Sequence, residues 1–441
     1  MAAPDDPSGF RAGTRGLTTR GRSFLAGGVT ALLCSYLLGQ SALLRVAVLL
    51  IALPLTAALL LVRTRYRVAS GRRLAPHRAS AGQEARVHLR VDNISRVPTG
   101  LLMLEDKVPY VLGPRPRFVL DRVEPRGYRE VSYRVRSDLR GRYPLGPLQL
   151  RLTDPFGMCE LTRAFSAADT LTVVPQVQAL PAVRLSGEWA GYGDSMSRAV
   201  ALAGDDDTVP REYRHGDDLR RVHWKSTAKY GELMVRREEQ PLKARATVLL
   251  DSREIGHRGS GPASSFEWAV GCAASVASHL LERGYQTRLL TDSGVQVPET
   301  NAHGSGSVSE SIGLVLDALA VVDHSTGSGL ARAEEVLRTG GEGLLVAILG
   351  ALDDEQVASL GRLRRRAGTA IAFVLDTGSW AGLRQIFPES GSDELERPMR
   401  LLREAGWTVL PARAGDTVPD LWRLADGQNA AAARTRKGAG A

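Results

Sequence analysis

The 441-residue sequence is poor in cysteine, with only Cys34, Cys159 and Cys272, which are too scattered for a disulfide framework or a CxxC zinc site. Lysine is scarce as well, at five residues against 52 arginines. Residues 244–426 contain neither a GxxxxGK[ST] phosphate-binding loop nor a GxSxG nucleophile motif. These absences argue against a disulfide-stapled domain, and against P-loop or α/β-hydrolase chemistry in that segment.

The excess positive charge is confined to the first 78 residues. They contain eleven arginines, no lysine and two acids, Asp5 and Asp6, which gives the full formal net charge of +9. The rest of the chain holds 46 basic and 46 acidic residues. Because the bulk of the chain is neutral, its composition argues against a nucleic-acid partner.

The same N-terminal segment holds two long apolar runs. Phe24–Leu38 is almost free of polar side chains, and Val46–Val62 carries no charge and a single proline, Pro54. With a few neighbouring residues, each run is long enough to cross the hydrocarbon core as a helix. Arginines flank both outer ends, so the positive-inside rule places both ends in the cytoplasm. They are Arg11, Arg15, Arg20 and Arg22 before the first run, and Arg63, Arg65, Arg67, Arg72 and Arg73 after the second. We therefore predict a basic cytoplasmic tail over residues 1–22 and a transmembrane two-helix hairpin, in contact with membrane lipid, over residues 23–62.

Two alternatives exist for the apolar runs. The first run could be the apolar core of a signal peptide, with a weak cleavage signal at Gln40-Ser41-Ala42. The two runs could also form a buried helical pair in a soluble protein. The second apolar run, which follows at once, and the basic outer flanks favour the membrane hairpin.

Residues 79–180 show strand periodicity. Apolar residues alternate with polar ones in three clear runs, Val87–Val91, Val131–Val135 and Leu148–Leu152, and Gly and Pro clusters separate the runs. Asp154-Pro155-Phe156-Gly157 has the residue preferences of a type I turn. The pattern predicts an antiparallel β sandwich of immunoglobulin-like size that serves as a spacer or a protein-contact module.

Residues 181–243 form a polar connector with a dense charged stretch. Residues 209–239 carry eight basic and six acidic residues, which favours ion-paired packing between modules or a partner-docking surface. Asp217 is a plausible N-cap of a short helix on which Arg220 and Trp224 share a face. A third hypothesis pairs Asp217 with His223 as acid and base, although no nucleophile accompanies them.

At this connector the chain resembles the domain of unknown function 58 family. The resemblance rests on the stretch from Arg214 to Lys225, on Gly231 to Arg236, on Arg140 to Pro147 and on the Asp-Pro-Phe-Gly turn, and it covers most of residues 20–300. Its signature, which we take as the candidate interaction site, comprises Arg214, Gly216, Asp217, Arg220, His223, Trp224, Lys225 and Arg236. The resemblance implies a protein anchored in a bacterial inner (plasma) membrane. It further implies a MoxR-type AAA+ ATPase as partner, with other membrane proteins as further partners, and transfers no activity.

Residues 244–426 predict an α/β doubly wound domain. Strands are expected at Ala246–Leu250, Gln286–Leu290, Leu344–Leu349, Ile371–Leu375 and Trp407–Leu410, with helices between them that begin near Ser264 and Asp353. The layout resembles a von Willebrand factor A-like domain, whose metal site uses Asp-x-Ser-x-Ser after the first strand. Here the sequence is Asp251-Ser252-Arg253-Glu254-Ile255, a degenerate form. We expect Asp251 to pair with Arg253 or to cap a loop, rather than to bind a metal.

Taken together, these observations predict a membrane-anchored, non-enzymatic interaction or scaffold protein. The family resemblance implies that it works with the ATPase in assembling or maturing envelope proteins. No cofactor is expected, and residues 427–441 are expected to be a disordered tail. The alternative is a hydrolase-like or metal-dependent enzyme that uses Asp217 and His223, or the strand-end carboxylates Asp251, Asp292 and Asp376.

Overall fold

The computed structural model describes most of the chain in two compact units, Met1–Pro175 and Gln176–Ala441. The described residues are 16–63, 68–96, 98–99, 101–154, 156–183, 210–213, 222, 224–236, 245–296, 307–339, 343–381 and 392–425. The predicted C-terminal tail, most of the predicted N-terminal tail and most of the connector therefore lie outside the described residues.

The N-terminal unit begins with a helical hairpin, α1 (Thr19–Leu38) and α2 (Ser41–Arg63). Thr18 caps α1 through its side-chain oxygen, and Gly39 ends the helix in the left-handed conformation at φ +66°. Both helices are long and apolar enough to cross a membrane, and little of either is buried within the protein. The two apolar helices predicted from the sequence are thus present, with the dimensions of a membrane anchor.

Between Val68 and Val174, the described residues form ten strands in three small sheets around one apolar core. The sheet orders are β1-β3-β6, β2-β10-β7 and β5-β4-β8-β9. The strands are β1 Val68–Ala75, β2 Arg78–Ser80, β3 Glu84–Asn93, β4 Leu102–Asp106, β5 Arg117–Leu120, β6 Tyr128–Arg136, β7 Gly141–Leu145, β8 Leu148–Thr153, β9 Glu160–Ala164 and β10 Asp169–Val174. The predicted alternation is clearest in β3, where Ala85, Val87, Leu89 and Val91 are all buried.

The first strand starts at Val68, ahead of the predicted boundary at residue 79. Arg72, which the sequence analysis groups with the membrane-flanking residues, instead lies inside this β-rich part. Its guanidinium is 5% exposed and donates to Asp106 at 2.6 Å and to the Leu145 carbonyl at 2.8 Å. A buried arginine needs such partners because an unpaired charge in the interior is costly.

The predicted Asp-Pro-Phe-Gly turn is present and contacts the hairpin. Gly157 N donates to the Asp154 carbonyl at 3.0 Å, and the Asp154 carboxylate accepts from the backbone N–H groups of Phe156 and Cys159. Thr18 binds the far side of the turn, with its N–H 2.9 Å from the Met158 carbonyl and its hydroxyl 2.8 Å from the Gly157 carbonyl. The turn therefore joins the β-rich part to the start of α1.

The C-terminal unit contains a five-stranded parallel sheet in the order β14-β13-β15-β16-β17. Its strands are β13 Arg245–Leu250, β14 Gln286–Thr291, β15 Leu344–Leu349, β16 Thr369–Leu375 and β17 Thr408–Ala412. All five predicted strands are present, and this 2-1-3-4-5 order is that of a doubly wound sheet. Before the sheet, β11 (Pro210–Glu212) pairs with β12 (Met234–Arg236), and α3 (Trp224–Tyr230) lies between them in sequence.

Helices cover both faces of this sheet. One face packs against α4 (Ser265–Glu282), α5 (Val308–Val321) and a helix over residues 418–425. The other face packs against α6 (Ala331–Thr339), α7 (Asp354–Arg364) and α9 (Ser392–Glu404), while α8 (Thr377–Trp380) is a single turn. Ser264 caps α4 and Asp353 caps α7, so both helices begin where the sequence predicts a helix start.

The contact between α1 and the turn leaves no room for a side chain at Gly21. A Cβ atom there would lie 2.3 Å from the Met158 carbonyl oxygen, whereas one at Gly27 would meet nothing within 4 Å. We expect Gly21→Ala to open this contact and Gly27→Ala to leave it intact. Burial, aided by the charge of Asp154, raises the pKa of the adjacent Cys159 thiol, which slows its reaction.

The measurement is the rate of maleimide labelling of Cys159 in detergent, in a Cys34→Ser background. We expect labelling to be at least about tenfold faster in Gly21→Ala, which corresponds to about 1.4 kcal/mol of lost contact energy. Equal rates in the two glycine variants would contradict this packing.

Candidate functional site

The candidate site is the carboxyl edge of the parallel sheet, where β13 and its two neighbours end. Asp251 directly follows β13, Asp292 follows β14 and Gly350 follows β15. In sheets of this order, crevices open at the carboxyl ends where successive connections run to opposite sides. Backbone pairing brings these three strand ends together, since Leu250 lies opposite both Thr291 and Ile348.

Asp251 and Arg253 form a buried, two-pronged ion pair at this edge. Arg253 Nε is 2.8 Å from Asp251 Oδ1 and Nη2 is 2.7 Å from Oδ2, and the side chains are 1% and 0% exposed. The same carboxylate accepts from the backbone N–H groups of Arg253 and Gly350, each at 3.1 Å. Four donors thus compensate its burial.

Arg253 also donates hydrogen bonds to two neighbouring loops. Its Nη1 donates to the Ser328 carbonyl at 3.2 Å and its Nη2 to the Ala351 carbonyl at 3.1 Å. Burial by itself lowers the pKa of Arg253, but the hydrogen bonds to Asp251 and the charges of Asp251, Asp292 and Asp353 outweigh it and raise that pKa. The guanidinium is therefore a permanent cation at this edge.

This arrangement does not fit a divalent metal ion. Both oxygens of Asp251, which a hard cation would need, are occupied by a charged guanidinium. Among the described residues, no group of three or more His, Cys, Asp or Glu side chains could hold a metal ion. Arg253 occupies the position of the first serine in an Asp-x-Ser-x-Ser sequence, and its guanidinium takes the place of a cation.

Asp292 is buried beside this pair and is held by serines. Its Oδ1 accepts from the Ser252 N–H at 2.7 Å and from the Ser252 hydroxyl, and its Oδ2 accepts from the Ser325 hydroxyl. Ser325 also donates its N–H to the Ser252 carbonyl at 2.7 Å. The loop that carries Ser325 is therefore fixed to the end of β13.

His257 completes the network as a buried, neutral ring. Its Nε2 lies 2.8 Å from the Asp251 carbonyl and donates to it, so Nδ1 accepts from the Ser265 hydroxyl at 3.2 Å. Burial lowers the pKa of His257, although the hydrogen bond to the Asp251 backbone opposes the shift. Beside it, the exposed His324 ring stacks on Phe266 with 4.0 Å between ring centroids.

Of the three strand-end carboxylates named from the sequence, the structure joins two. Asp251 and Asp292 meet through the Ser252–Arg253 backbone. Asp376 follows β16 and pairs instead with Arg413, at 3.8 Å, while its N–H binds the Ala412 carbonyl. The three therefore do not form a shared carboxylate cluster.

The signature residues are only partly described. Arg214, Gly216, Asp217, Arg220 and His223 lie outside the described residues. Trp224 begins α3 with its side chain 71% exposed, Lys225 belongs to the same helix, and Arg236 ends β12. The predicted helix that places Arg220 and Trp224 on one face stays a prediction.

Sequence reasoning missed Ser325, His257 and Ser265. Ser325 lies in the loop after α5, with no strand before it and no motif around it. Only the return of that loop to β13 brings its hydroxyl to Asp292.

Removing one member of the buried pair should destabilise the C-terminal unit. We expect Arg253→Met to lower its free energy of unfolding by about 3–5 kcal/mol because Asp251 is left charged and buried. The double variant Asp251→Asn/Arg253→Met should recover part of this loss. All six tryptophans lie after residue 175, so tryptophan fluorescence during urea unfolding reports the C-terminal unit alone. A wild-type protein that Mg²⁺ stabilises and EDTA weakens would contradict the assignment of Arg253 as the internal cation.

The neutral state of His257 predicts a pH dependence of stability. Because the folded pKa lies below the unfolded value of about 6.5, the unfolded state takes up a proton first as the pH falls. The contribution of His257 to the free energy of unfolding is present above pH ~6.5 and is lost as the pH falls through the folded-state pKa of His257. We expect His257→Gln to flatten the fall in unfolding free energy between pH 7.5 and 5, measured by the same fluorescence. Burial also lowers the pKa of His279, so His279→Gln should remove a different part of the pH dependence and leave the part due to His257 unchanged. A wild-type slope in His257→Gln would show the prediction to be wrong.

Comparison with known proteins gives one family match. Residues 209–377 match the family described as "Protein of unknown function DUF58". A comparison with curated proteins gave no match.

Three of the solved structures that the chain matches show weak similarity to it. The CARDB domain of the PF1109 protein from Pyrococcus furiosus is 9% identical, with 25% of this chain and 90% of that chain covered and a TM-score of 0.19. The alkylpurine DNA glycosylase AlkC from Pseudomonas fluorescens is 11% identical, covering 30% and 39% of the two chains at a TM-score of 0.18. The C-terminal domain of wzt is 13% identical, covering 26% and 74% at a TM-score of 0.18. TM-scores of this size do not establish a shared fold.

The matched region contains the signature stretch and the network that joins Asp251, Arg253 and Asp292 at the carboxyl edge. On this match, residues 209–377 are similar to the DUF58 family of proteins of unknown function.

Proposed function

We propose that this protein is a membrane-anchored interaction protein without catalytic activity of its own, which works with a MoxR-type AAA+ ATPase in assembling or maturing cell-envelope proteins. The helical hairpin is the anchor, in a bacterial inner membrane. The arginines that flank the apolar runs support a topology with both termini and both units on the cytoplasmic side.

The observation that carries this proposal is where the chain enters and leaves the β-rich part. The chain enters at Val68, soon after α2 ends at Arg63. Val68 pairs with Asn93, the last residue of β3. The chain leaves after Val174, whose carbonyl accepts from Ala81 N at 2.9 Å, close to the first residue of β3. The ten residues of β3 span about 30 Å. Such a module suits a spacer that holds the departing chain at a distance from the hairpin.

In this proposal the β-rich part is an immunoglobulin-like sandwich and the parallel sheet is a von Willebrand factor A-like domain. The 2-1-3-4-5 strand order and Asp251, which directly follows β13, support the assignment of the parallel sheet to a von Willebrand factor A-like domain. The partner binds this domain without a bridging metal, because the Arg253 guanidinium already neutralises Asp251.

The partner surface includes α3, where the signature stretch presents its aromatic residue. Trp224 is 71% exposed, although an exposed tryptophan is unusual unless it contacts a partner. Tyr230 lies six positions later on the same helix, about 240° around the axis, and is 62% exposed. Because both are exposed aromatic residues on different sides of the same helix, Tyr230 serves as the control position for substitutions of Trp224.

The test is an affinity pulldown of the full-length tagged protein from detergent-solubilised host membranes. We expect the wild type and Tyr230→Ala to recover the ATPase. Trp224→Ala should recover about 30-fold less, as the loss of about 2 kcal/mol at an interface hot spot implies. Absence of an ATPase above an untagged control would refute the proposed partner. Equal recovery with the two aromatic variants would instead rule out the α3 surface.

A further inference from the structure

Three connections of the β-rich part emerge at one end of it. Leu102, the first residue of β4, lies opposite Leu120 and Leu152 near the ends of β5 and β8. The connections 94–101, 121–127 and 154–159 therefore lie at the same end of their sheet. We name these three connections the hairpin-side end.

Two contacts place this end against the helical hairpin. Met158 and Cys159 pack in one cluster with Leu17, Leu53 and Ala57, and Thr18 hydrogen-bonds across the turn. In the neighbouring sheet, Asn93 lies opposite Val68, the first described residue after α2. Both the turn and connection 94–101 thus lie next to the basic outer end of the hairpin.

The exposed apolar side chains of the β-rich part are concentrated at this end. The described residues of the β-rich part include seven large hydrophobic side chains that are exposed. Six of the seven lie either in one of these three connections or within two residues of a strand end that adjoins one of them. The six are Ile94, Leu101, Met103, Val119, Tyr128 and Phe156. The seventh, Tyr110, follows β4 at the opposite end and is 91% exposed. Single exposed hydrophobic residues are ordinary, but their segregation beside an apolar helical pair is not.

Exposed arginines lie beside these residues. Arg20 and Arg22 are on the first turn of α1, and Arg96 is in connection 94–101. Aromatic and aliphatic side chains next to arginines are the composition of surfaces that lie in the headgroup region of anionic bilayers.

We propose that the hairpin-side end binds the lipid surface itself, with Phe156, Leu101 and Ile94 immersed at the boundary between headgroups and acyl chains. The three arginines contact anionic headgroups. The β-rich part then rests on the bilayer instead of hanging from a free linker. This inference depends on the proposed membrane anchoring of the hairpin.

The test places an environment-sensitive fluorophore at two ends of one sheet. Phe156→Cys and, as control, Tyr110→Cys are made in the full chain with Cys34→Ser, because the other native cysteines are buried. Each protein is labelled with NBD and reconstituted into liposomes of phosphatidylcholine with anionic phosphatidylglycerol. Lipids with a nitroxide near the headgroup serve as quenchers. We expect at least threefold stronger quenching and a blue-shifted emission at position 156. Leu101→Cys provides a second position with the same expected result.

The other outcomes separate this inference from the anchor. If the protein stays in the liposomes through a carbonate wash while positions 156 and 110 are quenched equally, the lipid contact is wrong and the anchor stands. If the wash releases the protein, the anchor and the inference fail together. Shielding of position 156 from aqueous iodide without lipid quenching would identify a protein covering this end and would overturn the inference.

Discussion

The N-terminal unit depends on a double attachment between its β-rich part and its helical hairpin. One attachment is covalent, from Arg63 to Val68, and the other is the set of hydrogen bonds that Thr18 makes with Gly157 and Met158. A single linker would leave the β-rich part free to rotate, as linked modules usually are. Two separate contacts fix which end faces the hairpin, and so also fix the end from which the chain departs.

A second constraint governs the C-terminal unit, where a positive charge is built into the sheet edge. Burying Asp251 and Arg253 carries a desolvation cost that a simple pair rarely recovers. Here Asp251 also accepts from Gly350, and Arg253 also donates to Ser328 and Ala351. These hydrogen bonds offset the cost and join three segments, 251–253, the loop at residue 328 and 350–351. Both oxygens of Asp251 are already bonded to Arg253, so this carboxylate does not require a divalent ion to neutralise it.

Features determined by near neighbours were predictable from the sequence, and those determined by distant ones were not. The caps at Ser264 and Asp353 and all five parallel strands follow from local patterns. Arg72 was misassigned because an arginine ten residues after an apolar run has the same sequence context in a membrane flank as in a strand. Only the position of Asp106, 34 residues away, makes it internal. Ser325 reaches Asp292 through tertiary folding alone, and Phe156 acquires its significance from its contact with the hairpin.

The family match covers only part of the described architecture. Residues 209–377 include α3 and the Asp251–Arg253 network but neither the hairpin nor the β-rich part. The match also stops before β17, although β17 pairs with β16 and supplies the Ala412 carbonyl that binds Asp376. Its boundary is therefore not a fold boundary, and the matched region cannot form this sheet alone. The similarity to the family therefore lies in the part of the chain that carries α3 and the sheet edge, and not in the hairpin or the β-rich part.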